Sequence, residues 1–202
     1  MKIRNVTMED LPGLYDVCLK TGDSGNDASL LYENKNLLGE IYVGPYVKFN
    51  SDSSFALIDE TGSISGYSLS TLDTLQFQKT CAREWWPEIQ SRYQEPSIAS
   101  RDVWTLDDHL MYEIFHPTPS PTEVLDLYPS HGHIDLKPHM QGKGWGKQMM
   151  EAIDNALIRS GSPGMHLRVS NVNYRALGFY AKLGYPEIMR RGNEVIVGKR
   201  YQ

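Results

Sequence analysis

The chain has 202 residues, of which 40% are hydrophobic and 22% charged, and its formal net charge at pH 7 is −5. These values are typical of one globular domain with a substantial core. The acidic balance argues against nucleic acid as a partner, because phosphate backbones attract basic surfaces. No apolar run approaches the roughly 18 residues of a membrane span, so no membrane partner is expected.

The N-terminal segment predicts a strand followed by a capped helix. KIRNV alternates apolar and polar residues and ends at Thr7. Thr7 with Asp10 three residues later forms a variant capping box, and apolar residues then recur at helical spacing until Gly22. The helix is therefore expected to begin near Thr7 and to end at Gly22.

The next segment predicts a short helix and a hairpin. Residues 29–47 are typical of a short helix followed by a turn around the Gly44-Pro45 pair. Two apolar runs then flank Glu60-Thr61-Gly62-Ser63, which favours a β-hairpin.

Residues 77–130 differ from the rest of the chain and are interpreted as an aromatic-rich insertion. They hold three tryptophans and six prolines. LQFQKTCAREWWPEIQSRY favours a helix broken near Pro87, whereas TLDDHLMYEIF is compatible with a strand or a short helix. Aromatic residues of this kind more often form core than a ligand site.

The remaining third of the chain predicts alternating strands and helices. HGHIDL is a strand that runs into a glycine-rich loop, and GKQMMEAIDNALIRSG is a helix with one apolar face. After these come a strand in GMHLRVS, a helix in NYRALGFYAKLG and two closing strands.

The loop KPHMQGKGWGKQ lies between a strand and a strong helix. A helix N-terminus offers unpaired N–H groups and partial positive charge, and glycines let a phosphate approach the backbone. A P-loop has four residues between its glycines and Ser or Thr after its lysine, whereas three residues separate Gly142 from Gly146 and Gln148 follows Lys147. The dinucleotide fingerprint GxGxxG is not met either, because the loop has the spacing GxGxG. A tight turn with solvated lysines explains the glycines equally well.

Two motifs together resemble the GCN5-related N-acetyltransferase (GNAT) family. The loop resembles its acetyl-coenzyme-A motif, and NYRALGFYAKLGY resembles its second motif with Tyr185 in place of phenylalanine. The matching residues are Leu136, Pro138, Gln141, Gly144, Gly146, Asn173, Ala176, Phe179, Tyr180 and Gly184.

Further stretches resemble the acetyltransferase-like domain at the C-terminal end of O-GlcNAcases and its free-standing microbial relatives. These stretches are CLKTGDSGNDASLLY, YVGPYV and YPSHGHIDLKPHMQGKGWG. The resemblance leaves two functions open. One is an acetyl-CoA-dependent N-acetyltransferase acting on a small-molecule or peptide amine. The other is a non-catalytic acetyl-CoA-binding or interaction module.

The resemblance implies an α/β (α+β) GNAT fold. We expect a single domain over residues 1–202, with 77–130 inserted, and a mixed, mostly antiparallel twisted sheet of about seven strands flanked by helices. The fourth and fifth strands should splay apart to admit acetyl-CoA as co-substrate, with no metal. The expected cofactor-binding residues are Ile134, Asp135, Leu136, Gln141, Gly142, Lys143, Gly144, Trp145, Gly146, Lys147, Asn173 and Tyr180.

The resemblance also suggests a catalytic group. Tyr180 would lie near the sulfur, where a phenol can donate a proton to the departing thiolate; its alternative is a packed core aromatic. His131, His133 and Asp135 share one strand face, and His133 or Asp135 could act as base. Strand parity puts them opposite Leu136, so structural roles are also open, and a His-x-His metal site lacks a third ligand.

The acceptor and the compartment are the least constrained predictions. Asp23 and Asp27, with Tyr42 and Tyr46, are candidate acceptor-binding residues, although a capped, solvated acidic loop fits the two aspartates equally well. The two cysteines lie far apart and the N-terminal segment lacks the apolar core of a signal peptide. A cytoplasmic protein is therefore expected, as a monomer or homodimer.

Overall fold

The computed structural model describes residues 1–201, which contain one seven-stranded sheet in the order β1-β2-β3-β4-β5-β7-β6. The strands are β1 Lys2–Asn5, β2 Phe55–Ile58, β3 Ile64–Thr71, β4 Ser130–Leu136, β5 Gly164–Ser170, β6 Glu187–Arg191 and β7 Glu194–Arg200. Only the β4–β5 pair is parallel among these neighbours. The predicted fold class, a mixed and mostly antiparallel sheet flanked by helices, is confirmed.

Helices cover both faces of the sheet. They are α1 Leu11–Thr21, α2 Leu37–Tyr42, α3 Gly44–Phe49, α4 Thr74–Thr80, α5 Trp86–Gln90, α6 Leu106–Phe115, α7 Trp145–Arg159 and α8 Tyr174–Lys182. The capping box of Thr7 and Asp10 is present, at the start of a 3-10 turn that leads into α1, and Gly22 caps the end of α1. The hairpin between β2 and β3 is also as predicted.

The expected turn around Gly44-Pro45 is wrong, because these residues begin α3. Proline is compatible with the first helical turn, where the missing N–H has no partner in any case. Gly44 is needed for packing, since a Cβ there would lie 2.3 Å from the Trp85 ring.

The segment interpreted as an insertion is mainly helical. A π-helical turn, Cys81–Trp85, joins α4 to α5; it marks the predicted break just before Pro87, which lies in the first turn of α5. TLDDHLMYEIF, left open as strand or helix, forms α6 behind a capping box of Thr105 and Asp108. Trp85 donates through Nε1 to the Glu40 carbonyl at 2.9 Å, which fastens this segment to α2.

The two sheet faces have different helix partners. One face packs α1 to α6 in a cluster that includes Leu14, Tyr46 and Tyr67. On the other face, Met150 of α7 and Tyr180 of α8 pack with β5 through Leu167 and its same-face neighbours. Strand alternation therefore turns the next residue of β5, Arg168, towards the α1–α6 face.

Strands β4 and β5 pair only where they begin. Ser130 lies opposite Met165 and His131 opposite His166, and the pairing stops there. Beyond His131, the β5-facing edge of β4 has no strand partner, so a gap opens in the middle of the sheet. This is the splay that the resemblance implied, and both cavities described below adjoin it.

Candidate functional site

A cavity of about 580 Å³ occupies the gap between β4 and β5 on the side of the glycine loop. That volume suits a sizeable ligand. Its walls come from the α1 end, β4, the loop, β5 and α8. The lining residues are Thr21, Ser24, Gly25, Gly132, His133, Ile134, Asp135, Leu136, Gln141, Gly142, Gly144, Gly146, Lys147, Arg168, Val169, Ser170, Asn173, Arg175, Ala176, Phe179 and Tyr180.

The glycine loop forms the anion-binding end of this cavity. Gly142 and Gly144 have φ of 71° and 84°, so the loop adopts backbone conformations that glycine accepts without strain. Gly144 is the N-cap of α7, a 15-residue helix. Its first-turn N–H groups carry the partial positive charge of a helix start. Lys147 and Arg175 line the same cavity and add charge.

The side chain of Gln141 holds the loop against β4. Its Nε2 donates to the Leu136 carbonyl at 2.7 Å, and its Oε1 accepts from Arg175. Gln141 therefore has a structural role as well as a place in the cavity wall. Its contact with Arg175 fixes a cation of α8 beside the loop.

The open edge of β4 offers backbone groups to the cavity. The Lys137 N–H donates to the Ser65 carbonyl on the β3 side at 2.9 Å. Since backbone groups alternate between the two edges of a strand, those of Leu136 and Ile134 point towards the gap. The Leu136 carbonyl already accepts from Gln141, which leaves Ile134 as the freer partner for an extended ligand.

Tyr180 is a buried aromatic residue whose hydroxyl has no hydrogen-bond partner among residues 1–201, although its ring packs in the core of α7 and α8. The residue is 7% exposed and lines the cavity. Burial, with the nearby Asp135 charge, raises its pKa, so the phenol keeps its proton at neutral pH. The hydroxyl is thus available to a ligand as a donor.

Asn173 has a structural role that the sequence motif did not reveal. Its Oδ1 accepts the Ala176 N–H at 3.0 Å and so caps α8. The residue also lines the cavity. The cap uses only the carbonyl oxygen, and the amide N–H groups remain available as donors.

A chain of hydrogen bonds connects the two histidines of β4 through Tyr46. The Thr74 hydroxyl donates to the Pro129 carbonyl at 2.6 Å, and its oxygen lies 2.7 Å from His131 Nδ1. The Tyr46 hydroxyl lies 2.7 Å from His131 Nε2 and 3.0 Å from His133 Nε2.

These contacts assign the tautomers of both rings. Thr74 has one proton, which it gives to the carbonyl, so His131 must donate through Nδ1. His131 Nε2 then accepts from Tyr46, whose oxygen accepts from His133 Nε2–H. His133 Nδ1 is left unprotonated, and it has no hydrogen-bond partner in the described part of the chain.

Burial shifts the pKa values of the titratable groups on this face of β4. Desolvation lowers the pKa of His133 to about 4 and that of His131 well below its usual range. Both rings are therefore neutral at pH 7. Burial raises the pKa of Asp135 to about 6, against hydrogen bonds that favour its ionised form, including one from the Tyr67 hydroxyl at 2.6 Å.

A second cavity, of about 400 Å³, lies on the other side of the same gap. Its walls come from α2, α3, the α4–α5 segment, α6, the loop after α6, and β4 and β5. Gly132, His133 and Arg168 line both cavities, so the two meet at the open edge of β4. Tyr42 and Tyr46, predicted as acceptor-binding residues, lie in its wall, whereas Glu113 and Arg168 were not predicted.

Glu113 is the most notable residue that sequence reasoning missed. It lies in the second cavity, and the Tyr42 hydroxyl donates to its Oε2 at 3.2 Å. Burial raises its pKa. In helix α6, Glu113 lies next to the buried Ile114 and three residues after the buried Leu110, a position typical of a half-buried acid. Because the sequence was compatible with either a strand or a helix here, this position could not be assigned from the sequence.

The predicted site residues divide into three groups. The first cavity brings together Ile134, Asp135, Leu136, Gln141, Gly142, Gly144, Gly146, Lys147, Asn173 and Tyr180, with His133 at its junction. Tyr42 and Tyr46 line the second cavity. Asp23, Asp27, Lys143 and Trp145 line neither.

Local contacts explain three of the four residues outside the cavities. Asp23 pairs with Asn26 inside a tight loop, and the Asp27 carboxylate accepts the Ser29 N–H at 2.8 Å. Ser24 and Gly25 from this loop reach the cavity instead. The Trp145 ring packs on a small apolar cluster containing Met149, although its N–H belongs to the first turn of α7.

No group of three or more histidine, cysteine, aspartate or glutamate side chains is placed to hold a metal ion in residues 1–201. His131 and His133 both contact Tyr46, as described above. Within the same residues, no helix is long and apolar enough to cross a membrane.

Comparison with known proteins gives consistent results. A family model described as acetyltransferase (GNAT) domain matches residues 114–187. Protein O-GlcNAcase of Rattus norvegicus is 30% identical over 193 residues, which are 93% of this chain and 20% of that protein. The chain therefore spans about a fifth of the length of this curated relative.

Two solved structures align with nearly the whole chain. The crystal structure of SsHAT is 30% identical, with a TM-score of 0.89, and the alignment covers 98% of this chain and 97% of that one. The PaiA N-acetyltransferase of Thermoplasma acidophilum, solved in complex with coenzyme A, shares the fold at 16% identity and a TM-score of 0.56, over 99% and 98% of the two chains. With the splayed strands and the glycine loop, these matches show that the chain belongs to the GNAT family of acetyltransferases.

Proposed function

We propose that the protein is an acetyl-CoA-dependent N-acetyltransferase that moves the acetyl group directly to a primary amine. The observation that carries this proposal is the junction of two cavities at an open strand edge, with Tyr180 in one wall and His133 shared by both. A donor in one cavity and an acceptor in the other would meet at that junction.

The first cavity fits acetyl-CoA by the chemistry of its walls. The helix start at Gly144, with Lys147 and Arg175, suits a pyrophosphate. The free edge at Ile134 suits the amide groups of a pantetheine arm. When bound, acetyl-CoA would supply the activated thioester; PaiA, which shares the fold, is solved with coenzyme A.

His133 is the group we assign as proton acceptor. Geometry comes before pKa in choosing a general base, and His133 lines both cavities whereas Asp135 lines only the first. The low pKa of His133 keeps the ring neutral, and the hydrogen-bond chain leaves its Nδ1 unprotonated. A neutral acceptor amine at the junction can attack the thioester carbon and pass one N–H proton to this nitrogen, while the C–S bond breaks and the thiolate leaves.

Tyr180 is the group we assign to the leaving thiolate. Its phenol keeps its proton and has no competing partner in the described residues. It can therefore donate a hydrogen bond or a proton as negative charge develops on sulfur. Cys18 and Cys81 are buried free thiols outside the first cavity, so no covalent acyl-cysteine is proposed.

Binding and turnover of acetyl-CoA test the proposal directly. Coenzyme A at about one hundred times its Kd should raise the free energy of unfolding by about 2.7 kcal/mol. Lys147→Glu and Arg175→Glu should each reduce that gain, whereas Lys182→Glu, the same charge change at an exposed position, should not.

Turnover is measured as thiol release from acetyl-CoA against a panel of primary amines. Thiol release that depends on an amine, with one acetylated product formed per thiol, is the expected result. Binding of coenzyme A without acetylation of any amine would overturn the enzymatic assignment and leave an acetyl-CoA-binding module. No stabilisation at millimolar coenzyme A would overturn both.

A further inference from the structure

The second cavity offers hydrogen-bond acceptors that lack donors. His166 is completely buried, and its Nδ1 lies 2.8 Å from the Tyr128 carbonyl, to which it must donate. Burial lowers the pKa of His166, so the ring is neutral and Nε2 is a bare acceptor. This Nε2 is a buried polar atom without a partner among the described residues. Since this nitrogen has no accessible surface, it cannot contact a ligand, and the acceptors open to a ligand are those that face the cavity.

Two further acceptors line the same cavity. His133 Nδ1 is unprotonated by the assignment above. The Glu113 carboxyl receives a hydrogen bond from Tyr42 and forms no ion pair with a lysine, arginine or histidine in residues 1–201. The neighbouring cation, Arg168, is held by Glu194 instead, with a nitrogen–oxygen distance of 2.7 Å. Glu113 and His133 Nδ1 therefore suit a ligand that donates N–H groups.

The rest of the wall is aromatic and apolar. Phe77 packs on Tyr46 with ring centroids 4.6 Å apart, and Trp86, Pro117 and Pro119 complete this side. Flat apolar groups bind well against such surfaces, and a cation is attracted to ring faces. A cavity of about 400 Å³ suits a compact molecule.

We propose that this cavity binds the acceptor, and that the acceptor is a compact primary amine on an aromatic or similarly flat apolar body. The amine would lie at the junction against Glu113 and His133, and the body would lie against Phe77 and Trp86. The inference rests on the proposed acetyl transfer for its role, but the amine site itself can be tested without acetyl-CoA.

The aromatic and apolar part of the wall favours one acceptor class. Phe77, Trp86 and the two prolines favour a flat apolar body, whereas the hydroxyl groups of an amino sugar would lose water against them. Asp23 and Asp27, the acids expected at the acceptor site, lie outside this cavity. Glu113 replaces them as the carboxyl that recognises a cation.

Binding of 2-phenylethylamine to the full chain, measured by calorimetry without acetyl-CoA, tests the site. Its isostere 2-phenylethanol has the same body without the cation. Glu113→Gln should weaken the amine about tenfold or more, since it removes a charge but keeps the shape, and should change 2-phenylethanol little. Glu123→Gln, an exposed carboxyl outside the cavity, is the matched control.

A second variant blocks the cavity without removing a polar group. Ala82 is exposed and lines the cavity, so Ala82→Trp should fill it without disturbing the core. Loss of amine binding in this variant, with coenzyme A binding unchanged, is the expected result. Equal amine affinity in the parent, Glu113→Gln and Ala82→Trp proteins would overturn the proposal.

Turnover separates this proposal from the proposed function. If thiol release occurs with glucosamine or a lysine peptide and Ala82→Trp leaves it unchanged, the acetyltransferase assignment stands and the acceptor site is wrong. If 2-phenylethylamine binds as expected but no amine of the panel is acetylated, the amine site stands and the acetyl transfer is wrong.

Discussion

The Tyr46 hydroxyl lies 3.0 Å from His133 Nε2 and 2.7 Å from His131 Nε2, so one phenol on α3 links both histidines of β4. Because Thr74 donates its one proton to the Pro129 carbonyl, each hydrogen bond in the series from Thr74 to His133 has only one possible direction. His133 is thereby held in the tautomer that has a free Nδ1. Tyr46 is a positioning residue for His133 in this scheme, in addition to its place in the wall of the second cavity.

Tyr46→Phe should lower kcat about ten- to hundredfold, because His133 loses the partner that fixes its ring. The Kd for coenzyme A should stay within twofold, since Tyr46 does not line the first cavity. The free energy of unfolding should fall by about 1–3 kcal/mol, because Nε2 of His131 and Nε2 of His133 each lose a hydrogen-bond partner. A normal kcat would remove Tyr46 from the mechanism. Tyr112→Phe, which removes a hydroxyl outside both cavities, is the control.

Tyr180→Phe tests proton donation to the leaving group. The ring and its packing are kept, so folding and the Kd for coenzyme A should change little. Loss of a proton donor typically lowers the rate by about 10²–10⁴-fold. Steady-state turnover with acetyl-CoA, together with calorimetry with coenzyme A, measures both quantities. Unchanged turnover would show that the phenol only shapes the cavity.

Asp135→Asn should stabilise the protein at pH 8 by about 1–3 kcal/mol and have little effect below pH 4. The folded-state pKa of Asp135 is about 6 and its ordinary value is 3.8. A raised pKa means that the stabilising contribution is fully present below 3.8 and is lost as the pH rises through about 6. Asparagine remains uncharged and avoids that loss.

Urea denaturation of both proteins at pH 3.5 and pH 8 measures this difference. Asp126→Asn, at an exposed position, should show no comparable pH-dependent gain. The dependence of kcat on pH in the same two proteins tests whether Asp135 is the base. If Asp135 accepted the amine proton, the dependence of kcat on pH would have an inflection near 6, and Asp135→Asn would abolish it. Equal stability of parent and variant at pH 8 would show that the buried carboxylate is not destabilising.

Substitution by alanine should change the free energy of unfolding in opposite directions at Gly144 and Gly178. Gly144 has φ of 84°, so Gly144→Ala should reduce the free energy of unfolding by about 1 kcal/mol, even though a Cβ there meets open space. Gly178 lies inside α8 and also faces open space, so Gly178→Ala should increase it by about 0.5–1 kcal/mol. Thermal unfolding measures both changes; stabilisation by Gly144→Ala would contradict the left-handed assignment.

Much of the fold was predictable from the sequence because local signals there agree with tertiary packing. The capping box at Thr7, the hairpin around Gly62 and the amphipathic helix after Gly146 each depend on spacing within a few residues. The glycine loop and the Asn173 motif together predicted the family. They also located one wall of the first cavity, since a glycine-rich strand-to-helix loop has few alternative structures.

Other features were decided only by tertiary structure. Burial by the elements packed on β4 raises the pKa of Asp135, whereas hydrogen bonds from Ser29, two residues away, lower the pKa of the exposed Asp27. The tautomer of His133 depends on Thr74 and Tyr46, which are 59 and 87 residues away. The second cavity depends on α6 and β5, which place Glu113 and Arg168 in the same wall, an arrangement that no local pattern encodes.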